Sequence, residues 1–166
     1  MNKEGERSHT PVEIERKFLV KELPNNIDVS PHEEIVQGYL AIMGNGTEIR
    51  LRKKGGKYFQ TAKSGGTKTR TEVEIEVTQE QFETLWPLTE GKRIEKTRYE
   101  IPFGDSIIEL DVYHGQLQGL KSAEVEVNTE TASADFMAPG WLGNEITDDQ
   151  RYKNQNLALY GFPSES

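Results

Sequence analysis

A mainly β fold, a closed eight-stranded antiparallel barrel with a few peripheral helices, is what this sequence predicts. Three observations lead there. Eight short segments read as strands, separated by glycine-rich turns. Charged residues recur two positions apart within most of those segments. The chain is 166 residues long, with no repeat, linker or low-complexity block to divide it, so one shared core is expected.

Residues 1–10 show no apolar periodicity and are expected to form a flexible tail, leaving residues 11–166 as a single domain. The expected strands run over about 12–20, 35–43, 47–52, 58–63, 71–77, 93–102, 106–113 and 121–127. Gly44-Asn45-Gly46, Gly55-Gly56, Gly65-Gly66 and Gly104-Asp105 supply the backbone freedom that tight hairpins need. Thr78, followed by Gln81 three residues later, reads as an N-cap with a capping box opening a helix through Phe82, Leu85 and Trp86. Pro87 and Gly91 limit it. Shorter helical pieces are expected around 133–137 and 154–160.

The charged rows make the barrel the better reading. Carboxylates repeat at Glu13/Glu15, Glu72/Glu74, Glu109/Asp111 and Glu124/Glu126, and Glu76 continues the second row. Bases repeat at Arg50/Arg52 and Lys96/Arg98, and Lys17 extends the face of Glu13 and Glu15. Side chains at i and i+2 leave a strand on one face, so each pair sets like charges side by side. Ile14, Leu51, Val73, Ile75, Leu110 and Val125 fall between them, as a second, apolar face that needs cover; the helix with Phe82, Leu85 and Trp86 could provide part of it. A flat sheet could show its charged rows to water. Eight strands closed on themselves would instead remove every edge and enclose a charged lumen, suited to water, metal ions and an anionic ligand.

Composition excludes several classes. A net charge of −8 opposes nucleic acid and anionic lipid, so an anion must be drawn by a local basic cluster or by metal. No cysteine is present, which removes disulfides, thiolate metal sites and cysteine nucleophiles. No signal peptide or apolar run long enough for a membrane span is visible, and the cytosol is the default expectation. Lys63-Ser64-Gly65-Gly66-Thr67-Lys68-Thr69 lacks P-loop spacing, no serine sits in a nucleophile-elbow context, and the three histidines are scattered. Carboxylates are hard oxygen ligands for Mg²⁺ or Mn²⁺, and Arg and Lys match phosphate oxygens. Acidic and basic rows on one face therefore point to metal-assisted phosphoryl chemistry on a small substrate.

Glu13-Ile14-Glu15-Arg16-Lys17 resembles the E-x-E-x-K motif of the CYTH superfamily of triphosphate tunnel metalloenzymes. The likeness continues in order through Gln37-Gly38-Tyr39-Leu40, Arg50-Leu51-Arg52, Thr61-Ala62-Lys63-Ser64, Arg70-Thr71-Glu72-Val73-Glu74, Glu95-Lys96-Thr97-Arg98-Tyr99, Glu109-Leu110-Asp111-Val112 and Glu124-Val125-Glu126. Arg151-Tyr152-Lys153-Asn154 is similar to the ending of short bacterial members, the inorganic triphosphatases among them. The resemblance implies an eight-stranded tunnel and hydrolysis of inorganic triphosphate to pyrophosphate and phosphate. Adenylate cyclase of the class IV type, thiamine triphosphatase and a non-catalytic polyphosphate or nucleotide binder are the alternatives. Carried over by position, Lys17 and Tyr39 would be catalytic, and Arg50, Arg52, Lys63, Lys96 and Arg98, with Arg70 and Lys153, would bind phosphates. Glu13, Glu15, Glu72, Glu74, Glu109, Asp111, Glu124 and Glu126 would hold Mg²⁺ or Mn²⁺ or orient water. Oligomeric state is not specified by the sequence, and a homodimer is left open.

Overall fold

Alternating charged and apolar residues are sorted by the strand pleat onto two faces, and among the described residues they settle into nine strands. In chain order these are β1 (Ile14–Val20), β2 (His32–Ile42), β3 (Glu48–Lys54), β4 (Lys57–Lys63), β5 (Glu72–Val77), β6 (Arg93–Phe103), β7 (Ser106–Tyr113), β8 (Lys121–Val127) and β9 (Leu142–Glu145). Among the described residues two α-helices accompany them, α1 (Gln79–Leu85) and α2 (Asn154–Tyr160). The structure, a computed structural model, describes residues 14–65, 71–127 and 136–164. Glu13 and Arg70 lie outside the described residues, as do residues 133–135 of the helical piece expected at 133–137; residues 136 and 137 carry no regular structure.

The strands form one antiparallel sheet in the order β5-β4-β3-β2-β6-β7-β8-β1-β9. This corrects the expected closed eight-stranded barrel, because the sheet has nine strands and does not close. The reason lies at its ends. β5 pairs with β4, whereas the far side of β1 is taken by β9, so among the described residues β5 and β9 are left as edges. β9 is four residues, Leu-Gly-Asn-Glu, and its register on β1 shifts between Phe18 and Val20. So short a segment shows no alternation from which to read a strand.

Register carries a single face across the sheet. Lys17 pairs with Glu124, Glu124 with Glu109, and Asp111 with Arg98. Gln37 pairs with Arg52 and Tyr39 with Arg50, and from there Arg50 meets Thr61 and Thr61 meets Glu74. The acidic and basic rows therefore share one face. Beyond Tyr39 a register shift before Ala41 marks a β-bulge, which re-aims the end of β2.

The other face is apolar. Phe18, Ile101, Ile108, Leu110, Ala123 and Val125 pack there with Ile27 and Leu142, flanked by Phe136 and Trp141. Over β2 to β4 the cover comes from α1 and the 3₁₀ turn Trp86–Thr89 that follows it, as expected from Phe82 and Trp86. Thr78 caps α1 through both bonds of a capping box with Gln81. The Tyr58, Phe82 and Trp86 rings pack in series at 5.0 and 4.9 Å. Gly38 is required here: a Cβ would sit 2.6 Å from Thr89 Oγ1 and 2.7 Å from the Trp86 ring. Val73 and Ile75 belong to the apolar parity expected to need cover, yet on edge strand β5 both are about half exposed.

A second core cluster plugs one end of the charged face. Tyr39, Ile94 and Tyr113 pack there with Ile146, Tyr152 and, from α2, Leu157 and Ala158. The C-terminal segment is thus seated at one end of the charged face rather than on the periphery.

Candidate active site

A cavity of about 610 Å³ opens on the charged face. Its walls include Glu15 and Lys17 of β1, Tyr39 of β2, Glu48 and Arg50 of β3, Lys63 of β4 and Glu124 of β8. Asn45, Gly46, Ser64 and Gly65 of two loops, with Thr147, Asp148, Gln150, Lys153, Asn154 and Gln155 of the C-terminal segment, complete them. Strands from opposite halves of the sheet wall one space, so the sheet curves around it. Lys17, Tyr39, Glu15, Glu124, Arg50, Lys63 and Lys153, all expected from sequence, are brought together there.

Lys17 Nζ donates to the carbonyl of Tyr152 at 2.7 Å and lies 3.5 Å from Glu124. The C-terminal segment therefore holds the lysine that β1 presents. Glu15 and Glu124 share a hydrogen bond, and that bond, burial, and the charges of Glu124 and Glu126 push the Glu15 carboxyl up to about 8. Glu124 moves the other way: burial opposes its ionisation, but the bond from Glu15 and the charge of Lys17 prevail. At neutral pH the two carboxylates hold one proton between them.

Deeper on the same face lies a buried ion cluster. Asp111, 2 % exposed, accepts from Lys96 Nζ at 2.8 Å and from Arg98 Nε and Nη2 at 2.8 and 2.9 Å. Burial opposes its ionisation, but Lys96 and Arg98 hold the carboxyl down at about 2. Burial pushes the Lys96 ammonium down to about 8 in spite of Asp111. For Arg98 burial again works against the charge, and the bonds and field of Asp111, with Glu109 at 2.7 Å, outweigh it. Lys96, Arg98 and Asp111 thus occupy one another, which spacing alone did not reveal.

Arg52 differs. Its Nε donates to Gln37 Oε1 at 2.8 Å, and among the described residues no carboxylate lies within ion-pair distance of it. Burial, then the positive charges of Arg50 and Arg98, push its guanidinium down to about 10. Arg50 reaches Glu48 and Glu72 only at 3.7 Å, beyond hydrogen-bond distance. Arg50 and Arg52 are thus two neighbouring cations with no carboxylate in hydrogen-bond contact among the described residues, beside an Arg98 that Asp111 and Glu109 neutralise.

Glu72 and Glu74 sit on exposed edge strand β5, and Glu109 is half-exposed beside Arg98. Glu126 pairs in register with Glu15. Sequence reasoning passed over Gln37, Glu48 and Gln155. Gln37 stands two residues before Tyr39 and Glu48 two before Arg50, so the parity that found the basic rows could have found both. Gln155 had no such signal.

Among the described residues, no three His, Cys, Asp or Glu side chains are arranged to hold a metal ion. The donor set nevertheless fits Mg²⁺ or Mn²⁺ in kind, since Mg²⁺ commonly uses one or two carboxylates together with substrate phosphates. Two carboxylates sharing a proton are such a donor pair. Glu48 Oε2, Arg50 Nε and Gln155 Oε1 are buried beside the cavity without hydrogen-bond partners, an acceptor and donor set suited to a charged, hydrated ligand.

Residues 11–156 match the CYTH domain, and the chain belongs to the CYTH family. It is 48 % identical over 150 residues to an inorganic triphosphatase of Nitrosomonas europaea, covering 89 % of this chain and 97 % of the relative. An inorganic triphosphatase of Acetivibrio thermocellus is 34 % identical over 152 residues, covering 87 % and 92 %. A crystal structure of an inorganic triphosphatase superposes with a TM-score of 0.76 at 45 % identity, covering 91 % of this chain and 97 % of that one. No helix among the described residues is long and apolar enough to cross a membrane.

Proposed function

We propose that the chain is a metal-dependent triphosphatase that hydrolyses inorganic triphosphate to pyrophosphate and phosphate. The observation that carries this reading is Arg52, buried beside Arg50 and Arg98 with a neutral amide as its hydrogen-bond partner. Clustered cations in a low-dielectric site repel one another unless an anion neutralises them. Triphosphate supplies that charge in extended form. The activity of both curated relatives supports the same choice.

Glu15 and Glu124 would hold the divalent ion, with Glu13, Glu126, Glu72, Glu74 and Glu109 as further acidic groups toward metal or water. Mg²⁺ or Mn²⁺ bound there supplies Lewis-acid polarisation of the phosphoryl oxygens and activation of water. Arg50, Arg52, Lys63, Lys153 and Arg70 bind and align the phosphate chain. Lys17, oriented by the Tyr152 carbonyl, neutralises charge on the transferring phosphoryl group, and Tyr39 assists it. Asp111 fixes Lys96 and Arg98 as a positive floor. Among the described residues Tyr39 is the one aromatic side chain in the cavity walls, so stacking of a purine or thiamine ring between aromatics finds no support there.

The reading is tested by Glu15→Gln. It replaces the protonated member of the pair with a neutral isostere that cannot ionise to ligate a metal, and it leaves no new buried ion, so the variant should melt like the wild type while Mg²⁺-supported turnover falls by roughly tenfold or more. Unchanged turnover in the variant, or full wild-type activity in excess chelator, would remove the metal role.

A further inference from the structure

Gln37 is fully buried in β2, two residues from Tyr39 and on the same face. Its amide stands between two side chains: Arg52 Nε donates to Oε1 at 2.8 Å, and Nε2 donates to the Tyr39 hydroxyl at 2.7 Å. A guanidinium has donors only, so the amide oxygen must face Arg52; the flipped amide would set N–H against N–H. The NH₂ end therefore faces Tyr39 and can only donate. With its oxygen accepting from Gln37, the phenol cannot send its single proton back along that bond. Among the described residues the hydroxyl has no other hydrogen-bond partner, and Tyr39 lines the cavity that holds Lys17 and Arg50.

We propose that Gln37 is a positioning residue that sets the hydrogen-bond polarity of Tyr39, so that the phenol presents its proton to a phosphate oxygen of the substrate. This deepens the triphosphatase reading and rests on it. Burial, with the charge of Glu48, raises the proton affinity of Tyr39, so the group is a donor and not a base at neutral pH. A phenol donating to an anionic oxygen makes a short, charge-assisted bond. Arg52 anchors the far end of the amide, and one chain thereby links a phosphate-binding cation to the orientation of Tyr39.

Gln37→Glu tests polarity directly. It keeps the side-chain length and an acceptor for Arg52 but turns the donor facing Tyr39 into an acceptor, which draws the phenol proton away from the cavity. Gln37→Met deletes both bonds and leaves the proton free. With Mg²⁺ in excess, kcat for tripolyphosphate should fall by roughly 100-fold in Q37E, as in Tyr39→Phe. The Q37E/Y39F double variant should lie within about threefold of either single one. Q37M should fall between wild type and Y39F. A merely structural Gln37 gives the opposite order, since Q37M loses more bonds than Q37E; that order, or additive effects of Q37E and Y39F, overturns the proposal.

Melting curves establish folding. If Q37E does not fold, Q37M decides alone: wild-type activity, or a loss equal to or beyond that of Y39F, contradicts the proposal, and an intermediate loss supports it. If the wild type does not hydrolyse tripolyphosphate, the functional reading fails by itself. Calorimetric tripolyphosphate binding then reads the orientation, with Q37E and Y39F weakened alike and Q37M less so; equal affinities in all four proteins would overturn it.

Discussion

Asp111 lets one face of a sheet hold so many charges without losing the fold. A carboxylate with two cations on it, all withdrawn from water, is costly to break because removal of one member leaves the others unpaired. Asp111→Asn is therefore expected to destabilise the protein by about 3 kcal/mol or more in urea unfolding. The pH dependence has a definite sign. The Asp111 carboxyl is depressed in the folded protein to about 2 from 3.8, so its stabilisation is present above about pH 4 and is lost as pH falls through 2. Wild-type stability should drop across that window by about 2 kcal/mol more than that of D111N; equal acid sensitivity would show that the cluster is not what stabilises the face. The sequence showed Asp111, Lys96 and Arg98 to share a parity. It could not show that they consume one another, because that depends on cross-strand register and depth.

At the scale of elements, eight strands and the capping box of α1 were legible because each has a local signature: period-two alternation, glycine turns, a threonine three residues before a glutamine. Most strand boundaries were legible to within a residue or two; β2 begins three residues earlier than expected, and the described part of β1 begins at Ile14. β9 was not legible, since its pairing to β1 is a tertiary event that four residues without pattern do not announce. The position of α2 was also hidden: its bounds match the helical piece expected at 154–160, but its insertion at one end of the charged face follows from contacts of Leu157 and Ala158 made far along the chain. Gly38 marks the tightest approach between elements. Gly38→Ala drives a methyl into Thr89 and Trp86, and Thr89 is fixed by its bonds to the Trp86 carbonyl and Arg93. The substitution should cost about 2 kcal/mol, whereas Gly56→Ala, with open space around it, should change stability by less than about 0.5 kcal/mol. Similar melting temperatures for the two would contradict the packing assigned to the 3₁₀ turn.

The whole molecule combines a net charge of −8 with Lys17, Arg50, Lys63 and Lys153 in the walls of its cavity. The outer field discourages polyanions such as nucleic acid, while a small triphosphate accompanied by a divalent ion approaches nearly neutralised. The open edge at β5 carries Glu72, Glu74 and Glu76 in one row, a repeated charge that opposes edge-to-edge pairing between copies. Closure of the sheet was inferred from charged rows needing enclosure. Curvature and the C-terminal segment provide that enclosure instead, and the shared face survived although the barrel did not. The fold alone does not choose among triphosphates; among the described residues the cavity walls carry several cations and a single aromatic. The most direct measurement is kcat/KM for tripolyphosphate and for ATP, side by side with Mg²⁺ and with chelator, following orthophosphate and cyclic AMP. Metal-dependent orthophosphate release with tripolyphosphate clearly preferred and little cyclic AMP is the expected result; ATP preferred with cyclic AMP as the main product, or no turnover of either, would overturn the triphosphatase assignment.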